Sequence, residues 1–348
     1  MGYSIAPSTL KSYTAAVKSL DRFCAEHNIT LTLPVTPELL CMWITHNALR
    51  LSHGSIRTYL HGIGTMHVML GHANPVEGAD IVWRAYLGAR RVQGGEALQE
   101  KRLPITVELL LQLERWQDVH TQDGKLQRAA MWLGTCGLLR SGEFVLRNKD
   151  SVLLRRGSLT FHGKDDEPLT MTDSSVTHMR IKLERSKTDQ LGAGASIVVA
   201  HPTAIQAMRT YLSARGGARA SEPLLMMRDS KPLSYAQLMQ RTHALLTAAG
   251  VEGVDQYKGH SFRRGGATSL HLAGQPDSII KAMGRWRSFT FATYVDTALP
   301  TLIAAGRAMA GATATGKSVT FIARQFEEWT APVWEERPAP SCASSSHN

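Results

Sequence analysis

Two stretches of this sequence gather side chains suited to handling a phosphodiester. Gly259-His260-Ser261-Phe262-Arg263-Arg264-Gly265-Gly266 is one, and Gly284-Arg285-Trp286-Arg287-Ser288-Phe289-Thr290-Phe291-Ala292-Thr293-Tyr294 is the other. Together they set arginine, histidine and aromatic residues ahead of a single tyrosine. A phosphodiester under attack gains negative charge on its non-bridging oxygens, and a guanidinium fork can clamp two oxygens at once. Two arginines from separate places suit that geometry. The second is Arg140 in Thr135-Cys-Gly-Leu-Leu-Arg-Ser-Gly-Glu143, a charge at the end of a helix that otherwise reads as buried. Taken singly, each residue has an ordinary explanation. His260 and Arg263 fit a surface or capping pair, Arg140 a salt bridge to Glu143, Lys187 a turn lysine, and Trp286 and Tyr294 core aromatics. Order and spacing together set them apart.

The elements that must carry these residues follow from periodicity. Leu10, Tyr13, Val17, Leu20 and Cys24 repeat at steps of three and four, which predicts a helix over 8–27 opened by Ser8. A second helix is predicted from Pro37 to Leu49 with Leu40, Trp43 and Ile44 inward. A third follows Ser55, with Ile56, Tyr59, Leu60, Ile63, Met66 and Leu70 on its apolar stripe, and a fourth spans 77–92. Four short helices make a bundle over 1–93. Periodicity stops in the polar 94–104 stretch, which reads as a linker. Residues 105–310 form a second, mixed domain, with helical periodicity to Gly142 and again from His201, and alternation in 175–184 and 195–200. Those runs predict a hairpin joined by 185–194. The remainder, 311–348, reads as a connector, a short apolar segment over 319–329 and a disordered tail.

The 348 residues carry 39 basic and 29 acidic side chains, a net charge of +10. The excess is uneven, +3 over 1–102, +8 over 103–310 and −1 beyond. A surplus of this size suits a polyanionic partner, nucleic acid first. No apolar run reaches the ~18 residues of a membrane span. Four scattered cysteines and fourteen histidines show no spacing for a disulfide framework or a metal site, so no metal and no cofactor are expected. Gly311-Ala-Thr-Ala-Thr-Gly-Lys-Ser318 fits the phosphate-loop string, yet the stretch before it, Leu302 to Ala310, reads as a helix rather than a buried strand and only thirty residues follow, so ATP binding is not expected.

In order, Arg140 with Glu143, Lys187, His260 with Arg263, Trp286 and Tyr294 resemble the motif of the tyrosine recombinase and integrase family. The likeness extends over residues 8–310, and Ser-Lys-Thr-Asp-Gln, Gly-His-Ser-Phe-Arg-Arg-Gly-Gly-Ala-Thr and Met-Gly-Arg-Trp look most like the Crypton and DIRS groups of eukaryotic mobile elements. Trp286 stands where His is commoner, eight residues before Tyr294 rather than the usual nine, and the first box has one extra Leu. The resemblance implies a mainly α fold with a small antiparallel sheet, a helical core-binding domain and a catalytic domain closing as a C-shaped clamp on double-stranded DNA. It implies that Tyr294 attacks the scissile phosphate to give a 3′-phosphotyrosyl intermediate, without metal or ATP. Arg140 and Arg263 would hold the phosphate, Lys187 would protonate the leaving oxygen and His260 would assist proton transfer. Trp286 would pack against the site and Glu143 would orient its neighbours. Lys182, inside the predicted strand, is the alternative lysine.

Arg57, Arg84, Arg90 and Arg91 are expected DNA contacts. The assembly implied by the resemblance is a homo-oligomer, a tetramer on two DNA sites with the 319–329 segment docking on a neighbouring protomer, acting in the nucleus of a eukaryote or otherwise in the cytoplasm or nucleoid, and not secreted. No small-molecule substrate and no membrane partner are expected. Two other readings stay open: a nicking and rejoining enzyme of type IB topoisomerase kind, which would act as a monomer, and a catalytically silent DNA-binding protein of recombinase descent, whose mark would be loss of the tyrosine or an arginine.

Overall fold

A computed structural model of the protein describes residues 5–94, 102–148, 151–184 and 194–286, with residue 292. The chain folds as two units, Met1–Lys101 and Arg102–Asn348. No described helix is long and apolar enough to cross a membrane.

The first unit contains helices α1 (Pro7–Glu26), α2 (Pro37–Asn47), α3 (His53–Met69) and α4 (Asp80–Gln93). Side-chain caps set two of the starts: Thr36 Oγ1 accepts from the Leu39 N–H at 3.2 Å, and Ser52 Oγ accepts from the Ser55 N–H at 3.2 Å. Each satisfies a donor that the first helical turn leaves open. The core is built from Ala16, Leu20, Phe23, Leu40, Trp43, Ile44, Ile56, Leu60 and Ile63. Three local expectations shift. α1 opens at Pro7 rather than Ser8, since proline at the first helical position sacrifices no hydrogen bond. Leu10 and Leu70 face solvent, 38% and 60% exposed, because the helix ends extend past the bundle's buried seam. His67 takes a core place instead, its Nε2 accepting from the Val35 N–H at 3.1 Å.

The second unit contains α5 (Val107–Leu113), α6 (Gln122–Cys136), the single turn α7 (Ser141–Phe144), strands β1 (Leu159–His162), β2 (Pro168–Leu169), β3 (His178–Leu183) and β4 (Ala195–Val199), then α8 (Pro202–Arg215), α9 (Tyr235–Ala248), α10 (His260–Leu272) and α11 (Asp277–Gly284). The sheet is antiparallel in the order β2-β1-β3-β4. The expected hairpin strands are β3 and β4, paired with Ile181 opposite Ile197. Periodicity missed β1 and β2, which are too short to alternate visibly. One sheet face turns Leu159, Phe161, Met179, Ile181, Ile197 and Val199 into a core shared with Trp132, Phe144, Tyr211 and Phe262. The unit is mainly helical with a small antiparallel sheet, as expected. The joining segment with Lys187, the tyrosine Tyr294, the phosphate-loop string and the docking segment lie outside the described residues.

Candidate active site

Arg140 follows α6 through a backbone reversal. Leu138 adopts a left-handed φ of 45°, a conformation costing roughly 1–3 kcal/mol for a residue with a side chain. Its carbonyl accepts hydrogen bonds from Arg263 Nη1 and, at 3.2 Å, from Arg285 Nη2. Arg140 then caps α7. Its N–H donates to Glu143 Oε2 at 2.8 Å and its Nη1 to Glu143 Oε1 at 3.0 Å. Glu143 is buried, and its Oε2 also receives Arg285 Nη2 at 2.9 Å. One carboxylate therefore aligns two guanidiniums.

Helix α10 brings in His260 and Arg263. Gly259 lets its first turn come close to its neighbours: a Cβ there would lie 2.5 Å from Tyr235 Cε2 and 2.8 Å from Ser141 Oγ. Arg263 is 1% exposed. It donates Nη1 to Leu138 and Nη2 to the Gly284 carbonyl, and its guanidinium stacks 4.2 Å from the centre of the Trp286 ring. Cation–π packing of this kind is strongest where water is excluded. The fork of Arg263 is thus committed to backbone, whereas the Arg140 side chain keeps 20% of its surface open.

His260 is half-buried. Burial first, then the charges of Arg102, Arg263, Arg147 and Arg140, hold its imidazole below the usual 6.5. The folded state therefore binds the His260 proton less well than the unfolded chain does. Stability from this group is complete above the unfolded value and is lost as pH falls below about 6.5 through the lowered one. Thermal melts from pH 8 to 5 should show that acid-side loss, and His260→Asn should flatten it.

The expected residues Arg140, Glu143, His260, Arg263 and Trp286 come together in one cluster. Arg57 on α3 and Arg84, Arg90 and Arg91 on α4 are exposed in the other unit. Three residues that spacing did not single out join the cluster. Arg102 and Arg147 act on His260 through their charge, and Arg285 binds Glu143. Arg285 ends α11 in a left-handed conformation, φ 56°, and its Nε and Nη1 are buried without a hydrogen-bond partner among the described residues. Burial pushes its pKa below the usual arginine value, opposed by Glu143. The signal was present in Gly284-Arg285-Trp286, where a charged residue interrupts an apolar helix end. Among the described residues, five guanidiniums against one carboxylate make a strongly electropositive, partly dehydrated site, the setting in which an anion is best held.

The fold is that of tyrosine-recombinase catalytic domains, and residues 167–298 match the Phage integrase family. The matched domain, with the relative described next, supports one activity, that of a site-specific tyrosine recombinase. The chain is similar to an integrase/recombinase xerD homolog of Selenomonas ruminantium, 27% identical over 281 residues, 76% of this chain and 74% of that protein. Among solved structures it is similar to the Tn1549 transposon integrase in complex with circular intermediate DNA, with a TM-score of 0.53 at 13% identity over 87% of this chain and 94% of that one. XerH site-specific recombinase bound to palindromic difH substrate gives a TM-score of 0.58 at 12% identity over 82% and 75%.

Proposed function

We propose that this recombinase cleaves and rejoins double-stranded DNA through a 3′-phosphotyrosyl bond to Tyr294, in the movement of a mobile element, as a tetramer on two sites. The observation that carries the reading is the cluster of guanidiniums around His260 with the Glu143 carboxylate between Arg140 and Arg285. Arg140, the more open of the two motif arginines, takes a non-bridging oxygen. Arg263 lies beneath and adds its charge while bracing Leu138, Gly284 and Trp286. Neutral His260 serves proton transfer at the reacting oxygens. Lys187 protonates the leaving 5′-oxygen. Lys182 is the weaker choice because it sits within β3, exposed and opposite Ser196. Arg57, Arg84, Arg90 and Arg91 contact backbone phosphates, a contribution that falls with salt at a slope near −0.9 per phosphate neutralised.

The test is incubation with duplexes carrying the element ends, followed by a denaturing gel for covalent protein–DNA adducts. A monomeric nicking enzyme would give adducts without joining two duplexes. Glu143 and Arg285 position Arg140 rather than touch the phosphate. Glu143→Gln keeps the shape but removes the charge that aligns both guanidiniums, and single-turnover cleavage should fall roughly 10²-fold, the effect of misplacing a catalytic group by about 1 Å. DNA affinity should hold or rise, because a negative charge has gone. Equal loss in cleavage and in binding would count against a positioning role.

A further inference from the structure

The sheet carries a second cluster of ligand-forming side chains, away from the arginines. His162 ends β1 and lies directly opposite His178, which starts β3. Asp166, in the turn between β1 and β2, faces both. His178 Nε2 is 2.9 Å from Asp166 Oδ1, His162 Nδ1 is 3.4 Å from the same oxygen, and all three atoms lie within 4.8 Å of one another. The imidazole rings are nearly parallel, 20° apart, with centres separated by 5.4 Å. Two cross-strand imidazole nitrogens and a carboxylate oxygen at such separations suit a tetrahedral ion, whose ligand atoms stand roughly 3.4 Å apart when each bond is about 2.1 Å.

The surroundings fit the same purpose. A ligating histidine needs its remote nitrogen held so that the near one points at the ion. His162 Nε2 lies 2.8 Å from Thr160 Oγ1, and His178 Nδ1 lies 3.0 Å from Thr177 Oγ1. Arg180 pairs with Asp166 Oδ2, leaving Oδ1 to the histidines. His162 Nδ1 also lies 2.8 Å from the Asp166 carbonyl oxygen. On ligation its proton moves to Nε2, where Thr160 accepts it, and the carbonyl becomes a further oxygen beside the ion. Among the described residues the other comparable group, Glu26, His27 and His46, is arranged differently. There His27 Nε2 bonds His46 Nδ1 at 3.2 Å, and Arg50 Nη1 occupies His46 Nε2 at 2.8 Å.

We propose that His162, Asp166 and His178 bind a divalent transition ion of the zinc type, which pins the β1–β2 turn to β3 and leaves one position to solvent. Imidazole with a carboxylate suits zinc, copper or nickel over magnesium or calcium. The role is structural and separate from the strand-transfer chemistry.

The test is titration of the full, metal-stripped chain with Zn²⁺ by calorimetry, alongside Zn²⁺-dependent melting. One equivalent should bind in the native chain, and its affinity should fall roughly 10²-fold or more in His162→Asn/His178→Asn while persisting in His27→Asn/His46→Asn. Thr160→Val and Thr177→Val leave all three ligands in place and should each weaken binding by about 10-fold. The Zn²⁺-dependent rise in Tm should vanish with the paired ligand variant. Absence of a stoichiometric site, or a site unaffected by the His162 and His178 substitutions, overturns the proposal.

Discussion

Tyr294→Phe protein should bind duplex DNA with unchanged affinity and leave no covalent adduct on a denaturing gel. The substitution removes one oxygen, and on the proposed mechanism that oxygen is the nucleophile. Removing a covalent nucleophile lowers turnover to background, a loss of at least about 10³-fold. Arg140→Ala should act on the same step from the other side, slowing adduct formation with the phenol intact. An adduct that survives in Tyr294→Phe assigns the nucleophile elsewhere.

Gly265→Ala should destabilise the catalytic unit by about 3 kcal/mol or more, an effect as large for stability as Tyr294→Phe is for chemistry. Glycine inside a helix costs about 1 kcal/mol relative to alanine, so a Gly265-Gly266 pair within α10 requires a packing reason. Close approach of backbone supplies it. A Cβ at Gly265 would lie 1.8 Å from the Ile105 carbonyl oxygen, and one at Gly266 would lie 2.2 Å from that of Thr135. Both obstacles are backbone, which cannot rotate away. The Ile105 N–H donates to the Ser261 carbonyl at 2.9 Å, so the same approach ties α10 to the segment that leads into α5. Overpacking against such a surface costs 1–3 kcal/mol or more, here lowering Tm by roughly 6–12 °C. Gly88→Ala in α4, where a Cβ meets nothing within 4 Å, is the control and should hold or raise Tm. A Gly265→Ala melt matching the native one would mean that α10 is seated otherwise.

Because α10 carries His260 and Arg263, those glycines also position the chemistry proposed for them. The motif shows them as letters without a role. Their purpose is a close approach between segments more than a hundred residues apart in sequence, which no local pattern encodes.

Legibility followed the range of the interaction. The helices of the first unit could be read because an amphipathic stripe is set by neighbours three and four residues away, and Leu40, Trp43 and Ile44 are buried as their spacing required. The pairing of Arg140 with Glu143 was legible for the same reason, being a contact within one turn. The order of Arg140, His260, Arg263 and Trp286 likewise pointed to a phosphate-handling enzyme. Tertiary structure alone decided that Arg263 spends its fork on two backbone carbonyls, that Arg285 shares Glu143 with Arg140, and that His162 and His178, in separate strands, converge on Asp166. Such arrangements depend on strand register and on the meeting of distant helix ends. Those are fixed by burying a common core, and residue spacing along the chain carries little information about them.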